Sequence, residues 1–219
     1  MNVDLNRLAK GLAMIIDRLT PKPIDNVIYD LANKSSMVKI KGNALEIGKV
    51  ICSFVEFDIH SHKLKGNIDI YFSVDAARAF CHDILSGKLC KLAQREKERC
   101  AKSGEQYPKE VYISPLGGTT EEKAKERNLR TDGKAISRLF KLSPGSKADF
   151  VFTAEQRPGH TDKNKGIIIP EGGKPEVLIR VSCTKEQLKE LALALQEHML
   201  AFTTSQYVHN GYARQQKKK

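Results

Sequence analysis

The stretch AISRLFKLSPGSKADFVFTAEQRPGHTDKNKGIIIPEGGKPEVLIRVSC, residues 135–183, decides the fold. It divides into four runs rich in β-branched and aromatic residues: 135–142 (AISRLFKL), 148–157 (ADFVFTAEQR), 166–169 (GIII) and 176–183 (EVLIRVSC). Such runs, bounded by Gly, Pro and Ser, predict strands. Ser143-Pro144-Gly145-Ser146 and Pro170-Glu171-Gly172-Gly173 supply turn chemistry, and residues 158–165 read as a polar loop. Thr184 and Gln187 then stand at capping-box spacing. They open a predicted helix to about Tyr207, with Leu188, Leu191, Leu195, Met199 and Phe202 as its apolar stripe. The order is four strands followed by one helix.

Upstream, a weaker copy of this order is expected. Residues 49–59 (KVICSFVEFDI) and 67–74 (NIDIYFSV) read as strands, the second with Ile68, Ile70, Phe72 and Val74 on one face. A helix from about Asp75 follows, carrying Ala76, Ala79, Phe80 and Ile84 as far as Gly87. Shifting by 109 positions places Ile70 over Ile179, Phe72 over Val181 and Ser73 over Ser182. The expected class is therefore α+β, with two related antiparallel sheet-plus-helix modules in a ββββα repeat. Residues 1–38 form an N-terminal helical segment: Leu5, Leu8, Leu12, Ile15, Ile16 and Leu19 recur at helical spacing, and a short second helix would hold Val27, Ile28 and Leu31. The first module covers 39–93, a charged connection 94–134, the second module 135–208 and a basic tail 209–219. Within the connection, Thr119 and Glu122 suggest a capping box for a short helix.

Composition narrows the class. Over 219 residues, 37 Lys and Arg oppose 26 Asp and Glu, a net charge of +11, which calls for an anionic partner. No apolar run approaches the roughly 20 residues that span a bilayer. Asp4 and Asp17 interrupt the N-terminal apolar pattern, so no export leader is expected. Five cysteines without export signals suggest reduced thiols in a cytoplasm.

The runs RLFKL, FVFTAEQRPG, KGIIIP and GGKPEVLIRVS, with the helix beginning TKEQLKEL, resemble the Whirly fold and the positive cofactor four type of transcription coactivator, including its small bacterial relatives. The resemblance spans Ser137 to Tyr207 and, more loosely, residues 43–90; the plant Whirly run Lys-Gly-Lys-Ala-Ala-Leu does not occur. It implies tandem β-sheet modules that bind single-stranded DNA without catalysis or cofactor, in replication, recombination, transfer or transcription. It also suggests a source in a bacterial mobile element, a nucleoid-associated location in the cytoplasm, and a homo-oligomer.

Strand alternation nominates the contacts. A face holding Arg138, Phe140, Arg180 and Tyr71 would combine cations with rings, the chemistry on which bases stack for roughly 1–3 kcal/mol each. Lys141, Arg157 and the turn lysines Lys147, Lys163, Lys165, Lys63 and Lys65 would follow the phosphates. RNA is the alternative ligand, since stacking and phosphate contacts serve both. A protein-interaction role in a conjugation or replication complex is the alternative function, motivated by the apolar stripe of residues 3–19. Enzymatic readings find little footing. His60-x-His62 beside Cys52 or Asp58 lacks a complete zinc ligand set, and Cys81-His82 would point apart on a helix. Gly117-Gly118-Thr119-Thr120 reads better as a capped loop than as a phosphate cradle.

Overall fold

A computed structural model describes residues 26–61 and 63–216, with side chains through Asn210. The expected helix over 3–19 and His62 lie outside the described residues. The described residues form an α+β fold, with two antiparallel sheets and four α-helices among them.

The first sheet is a simple meander: β1 (Val27–Ala32), β2 (Ser36–Lys41), β3 (Lys49–Phe57) and β4 (Leu64–Ser73) lie side by side in chain order. The helix expected around Val27, Ile28 and Leu31 is therefore a strand. VIYDLA is β-branched and aromatic, and β2 offers it a complete set of backbone partners from Val27 opposite Lys41 to Ala32 opposite Met37. Ser73 caps helix α1 (Val74–Leu85), its Oγ accepting the Ala76 N–H at 3.2 Å. Gly87, at φ 74°, turns the chain into α2 (Lys88–Ser103), which absorbs the first charged run.

The second sheet departs further from expectation. β7 (Ala135–Pro144) and β8 (Phe150–Asp162) pair along their length. β9 (Ile167–Pro170) and β10 (Val177–Cys183) share one edge of β8, β9 on residues 159–162 and β10 on residues 150–156. Much of the expected loop over 158–165 is thus strand. On the outer edge of β7 lie two short strands from the stretch expected to be a connection, β5 (Tyr112–Ile113) and β6 (Gly117–Thr119). Helix α3 (Glu121–Glu126) follows β6. Its cap is Thr120, whose Oγ accepts the Lys123 N–H, and not Thr119, which is the last residue of β6. Helix α4 (Lys185–Gln216) begins with the predicted box: Thr184 N–H donates to Gln187 Oε1 at 2.9 Å, and Gln187 N–H donates to Thr184 Oγ1 at 3.2 Å.

The sheets pack through one shared core. Phe140 of β7 is its hub, 3% exposed, with ring centroids of Phe72 at 5.4 Å, Phe80 and Phe152 at 5.6 Å, and Phe54 and Tyr112 at 6.0 Å. These rings come from both sheets and from α1, so the sheets fold as one body. Leu188, Leu191, Leu195 and Met199 of α4 complete the core.

Candidate nucleic-acid interface

Pairing register settles which side chains share a face. In the second sheet, Lys141, Thr153 and Arg180 stand in one cross-strand row, while Arg138, Gln156 and Val177 stand in another. Arg138 lies two residues from buried Phe140 and so takes the inward face; Lys141 and Arg180 take the outward one. The expected face that unites Arg138, Phe140, Arg180 and Tyr71 does not exist. Phe140 is a core ring and is corrected from a stacking residue to a packing one.

The outward face of this sheet is largely neutralised. Lys141 Nζ lies 2.9 Å from Glu155 Oε1 and 3.3 Å from Glu110 Oε1. Arg157 pairs with Glu155 Oε2 at 3.2 Å and donates to the Gly173 carbonyl. Glu155 is buried beneath both cations. Two residues expected to follow phosphates are therefore held by carboxylates of their own sheet. Arg180 remains exposed on that face.

The turn lysines are dispersed. Lys147 and the pair Lys163 and Lys165 are exposed at opposite ends of β8, roughly 40 Å apart along a strand of this length. Lys63 and Lys65 lie at the start of β4, about 23 Å along the strand from Tyr71. Lys65 Nζ pairs with Asp58 Oδ2 at 3.3 Å. Hydrogen bonds from the Ser61 backbone, then Lys65, pull the Asp58 carboxyl down to about 2, so this partner stays charged at any physiological pH.

The structure does bring Arg138 and Tyr71 together. Both line a cleft of about 330 Å³ where β4 of the first sheet meets the strip 114–118, which leads from β5 into β6 of the second. Lys49, Asp69, Ser73, Ser114 and Leu116 share its walls. Its volume is at the low end of ligand pockets. Arg138 is fixed at its margin: Nε donates to Gln156 Oε1 at 3.1 Å and Nη1 to Thr119 Oγ1 at 3.2 Å. Burial lowers its pKa, while the nearby Asp69 carboxylate works in the opposite direction. A guanidinium remains charged under such a shift. Gly118, at φ 147°, lets the strip pass so close to β7 that a Cβ there would collide with the Ile136 carbonyl.

The cleft opens onto the outward face of the first sheet. There Tyr71, 53% exposed, stands directly across from Ile51, and Ile51 across from Lys41. Lys49, opposite Ser73, is the diagonal neighbour of Tyr71, and Lys39, Ser53 and Asp69 form the next row. The inward positions between them, Val38, Ile40, Val50, Cys52, Phe54, Ile70 and Phe72, are all core. Lys39, Lys41, Lys49 and Ile51 were not among the expected contacts. Alternation in SMVKIK and KVICSFV carries the signal, because each puts its lysines opposite buried aliphatics.

Among the described residues, no three His, Cys, Asp or Glu side chains gather as a metal site. Cys81 is buried and His82 exposed, on different sides of α1. No helix among the described residues is long and apolar enough to cross a membrane. No family model matches the chain, and no curated protein is significantly similar to it.

Proposed function

We propose that the protein binds single-stranded DNA without catalysis, on the outward face of the first sheet and in the cleft beside it. The observation that carries this reading is Tyr71: a half-exposed ring on a rigid strand, beside Ile51, with cations at Lys49, Lys41 and Arg138 around it. Single-strand binders combine these parts, a ring for base stacking and a cationic track for the backbone. In this reading a base stacks on Tyr71 and Ile51. Arg138, Asp69 and Ser73 offer donors and acceptors to the edge of a base turned into the cleft, and Lys39 and Lys49 meet phosphates. The outward face of the second sheet, closed by Glu155, contributes less.

The architecture supports the same reading. β1 to β4 form a four-strand meander that ends in α1, and the six-stranded second sheet, β5 to β10, is likewise antiparallel and followed by a helix, α4. The resemblance to tandem Whirly-like modules is drawn from the sequence of residues 137–207 and, more loosely, 43–90, and an antiparallel sheet followed by a helix in each half is consistent with it. The net charge of +11 adds a long-range attraction for any polyanion.

The test is fluorescence anisotropy with labelled unstructured DNA, its duplex and the matching RNA, across a salt series. Tyr71→Ala is expected to weaken single-strand binding roughly 5- to 150-fold, the loss of one stacked base at about 1–3 kcal/mol. Lys49→Ala is expected to reduce the salt slope by about 0.7, one phosphate contact on a single strand. Absence of binding at low salt, or equal binding of duplex, would refute the function. Unchanged affinity in Tyr71→Ala would refute the face. Tighter binding of the RNA would move the ligand class.

A further inference from the structure

Helix α4 carries a second pattern on the side away from the core. Leu188, Leu191, Leu195 and Met199 are buried, whereas Leu193, Leu200 and Tyr207 are 50%, 66% and 75% exposed. Those three recur every seventh residue, so they stack along one line of the helix. The sequence extends the series at both ends, with Glu186 before it and Arg214 after it. From Thr204 to Asn210 every side chain is exposed, so this part of the helix projects beyond the body. Thr203, Thr204, Ser205 and Gly211 are poor helix formers, and a projecting helix of such composition is marginal on its own. A large apolar stripe on a projecting helix calls for a partner.

We propose that this stripe is the interface of a two-fold antiparallel dimer of the chain. Charge selects both the occupant and the direction. Glu186, Glu190 and Glu197 lie in the first half of the helix, while no acidic residue follows Glu197 and the end carries Arg214 and Lys217 to Lys219. A parallel, in-register pair would set Glu186, which shares the line of the stripe, against its own copy. An antiparallel pair centred on Leu200 sets Leu200 against the partner's Leu200 and Leu193 against the partner's Tyr207. The same register brings position 186 level with position 214 of the second copy, acid against base. Like charges directly opposed are destabilising and opposite charges fix register, so the sequence favours the antiparallel arrangement. The seam is short, so the dimer forms reversibly with concentration.

Site-directed crosslinking on the full chain tests this in a Cys90→Ser background, which removes the one thiol that is not buried. Under mild oxidation Leu200→Cys is expected to form a covalent dimer. Leu193→Cys alone is expected not to, and Leu193→Cys combined with Tyr207→Cys is expected to do so. Leu200→Asp should shift the light-scattering mass from dimer to monomer without unfolding the core, since Leu200 lies outside it, and any loss of helical dichroism should be confined to the few projecting turns of α4. A monomer at every concentration, or a dimer that survives Leu200→Asp, would overturn the interface. Crosslinking by Leu193→Cys alone would overturn the antiparallel register. None of these outcomes depends on DNA binding.

Discussion

Phe140 and Arg138 are separated by one residue, share a face of β7, and end in different worlds. Phe140 meets five rings drawn from both sheets and from α1; Arg138 stands past the edge of that cluster, where the sheets part into the cleft. Alternation within a strand was legible and correct: it set Tyr71 opposite Ile70 and Phe72, and Phe150 beside Phe152. Alternation between strands was not. Whether Arg180 shares a face with Arg138 depends on pairing register, and a slip of one residue reverses the answer. That register follows from how residues 171–176 leave β9 and re-enter the sheet, which composition does not encode. The hub position gives a direct expectation. Phe140→Ala should destabilise the fold by about 3–5 kcal/mol, the cost of emptying a packed aromatic site, as a lowered urea midpoint with little change in slope. A loss under 1 kcal/mol would mean that the cluster closes over the gap and that the two sheets do not depend on this ring.

At the scale of elements, the strongly patterned ones were readable: β7, β8, β10, both ends of α1, and the capped start of α4. The weak ones were decided by tertiary partners. VIYDLA has enough leucine and isoleucine to pass for a short helix, yet it becomes an edge strand because β2 presents open backbone groups beside it. β5 and β6 hold only a few residues each and lie in a charged stretch; they exist because β7 has an unpaired edge, with Ser114 Oγ between them accepting the Phe140 N–H at 3.0 Å. The same logic separates cations that look alike in sequence. Lys49 belongs to a face whose neighbours are Tyr71 and Ile51, while Lys141 is flanked by Glu110 and Glu155 at 3.3 and 2.9 Å. Removing Lys141 frees no phosphate contact, so Lys141→Ala should leave the salt slope of single-strand binding within error while Lys49→Ala lowers it. Equal losses in the two variants would show that the ligand pulls Lys141 from its carboxylates, and that both sheets bind.

For the whole molecule, the common core makes stability a property of both sheets at once, and that core holds groups that must stay neutral. Burial pushes the Cys81 and Cys183 thiols from their ordinary value of 9.0 up to about 12, and the Tyr112 phenol from 10.0 up to about 12. Burial raises Cys52 as well, with the neighbouring Cys81 adding to it. Each is an acid whose folded value lies above its unfolded one. Below the unfolded value both states hold the proton, so the contribution to stability is constant. Above it the unfolded chain gives up protons that the folded chain retains, and stability falls until the folded group itself ionises. The sign is therefore loss with rising pH, beginning near 9 for the thiols and near 10 for Tyr112, and continuing to about 12. The urea midpoint should hold steady from pH 7 to 8.5 and then fall steeply by pH 11, with both sheets unfolding in one transition because Phe140, Tyr112 and Cys81 belong to the same core. Far-ultraviolet dichroism and tyrosine fluorescence should report the same midpoint at each pH. Separate midpoints, or a flat profile through pH 11, would break the claim that one packed interior unites the two sheets.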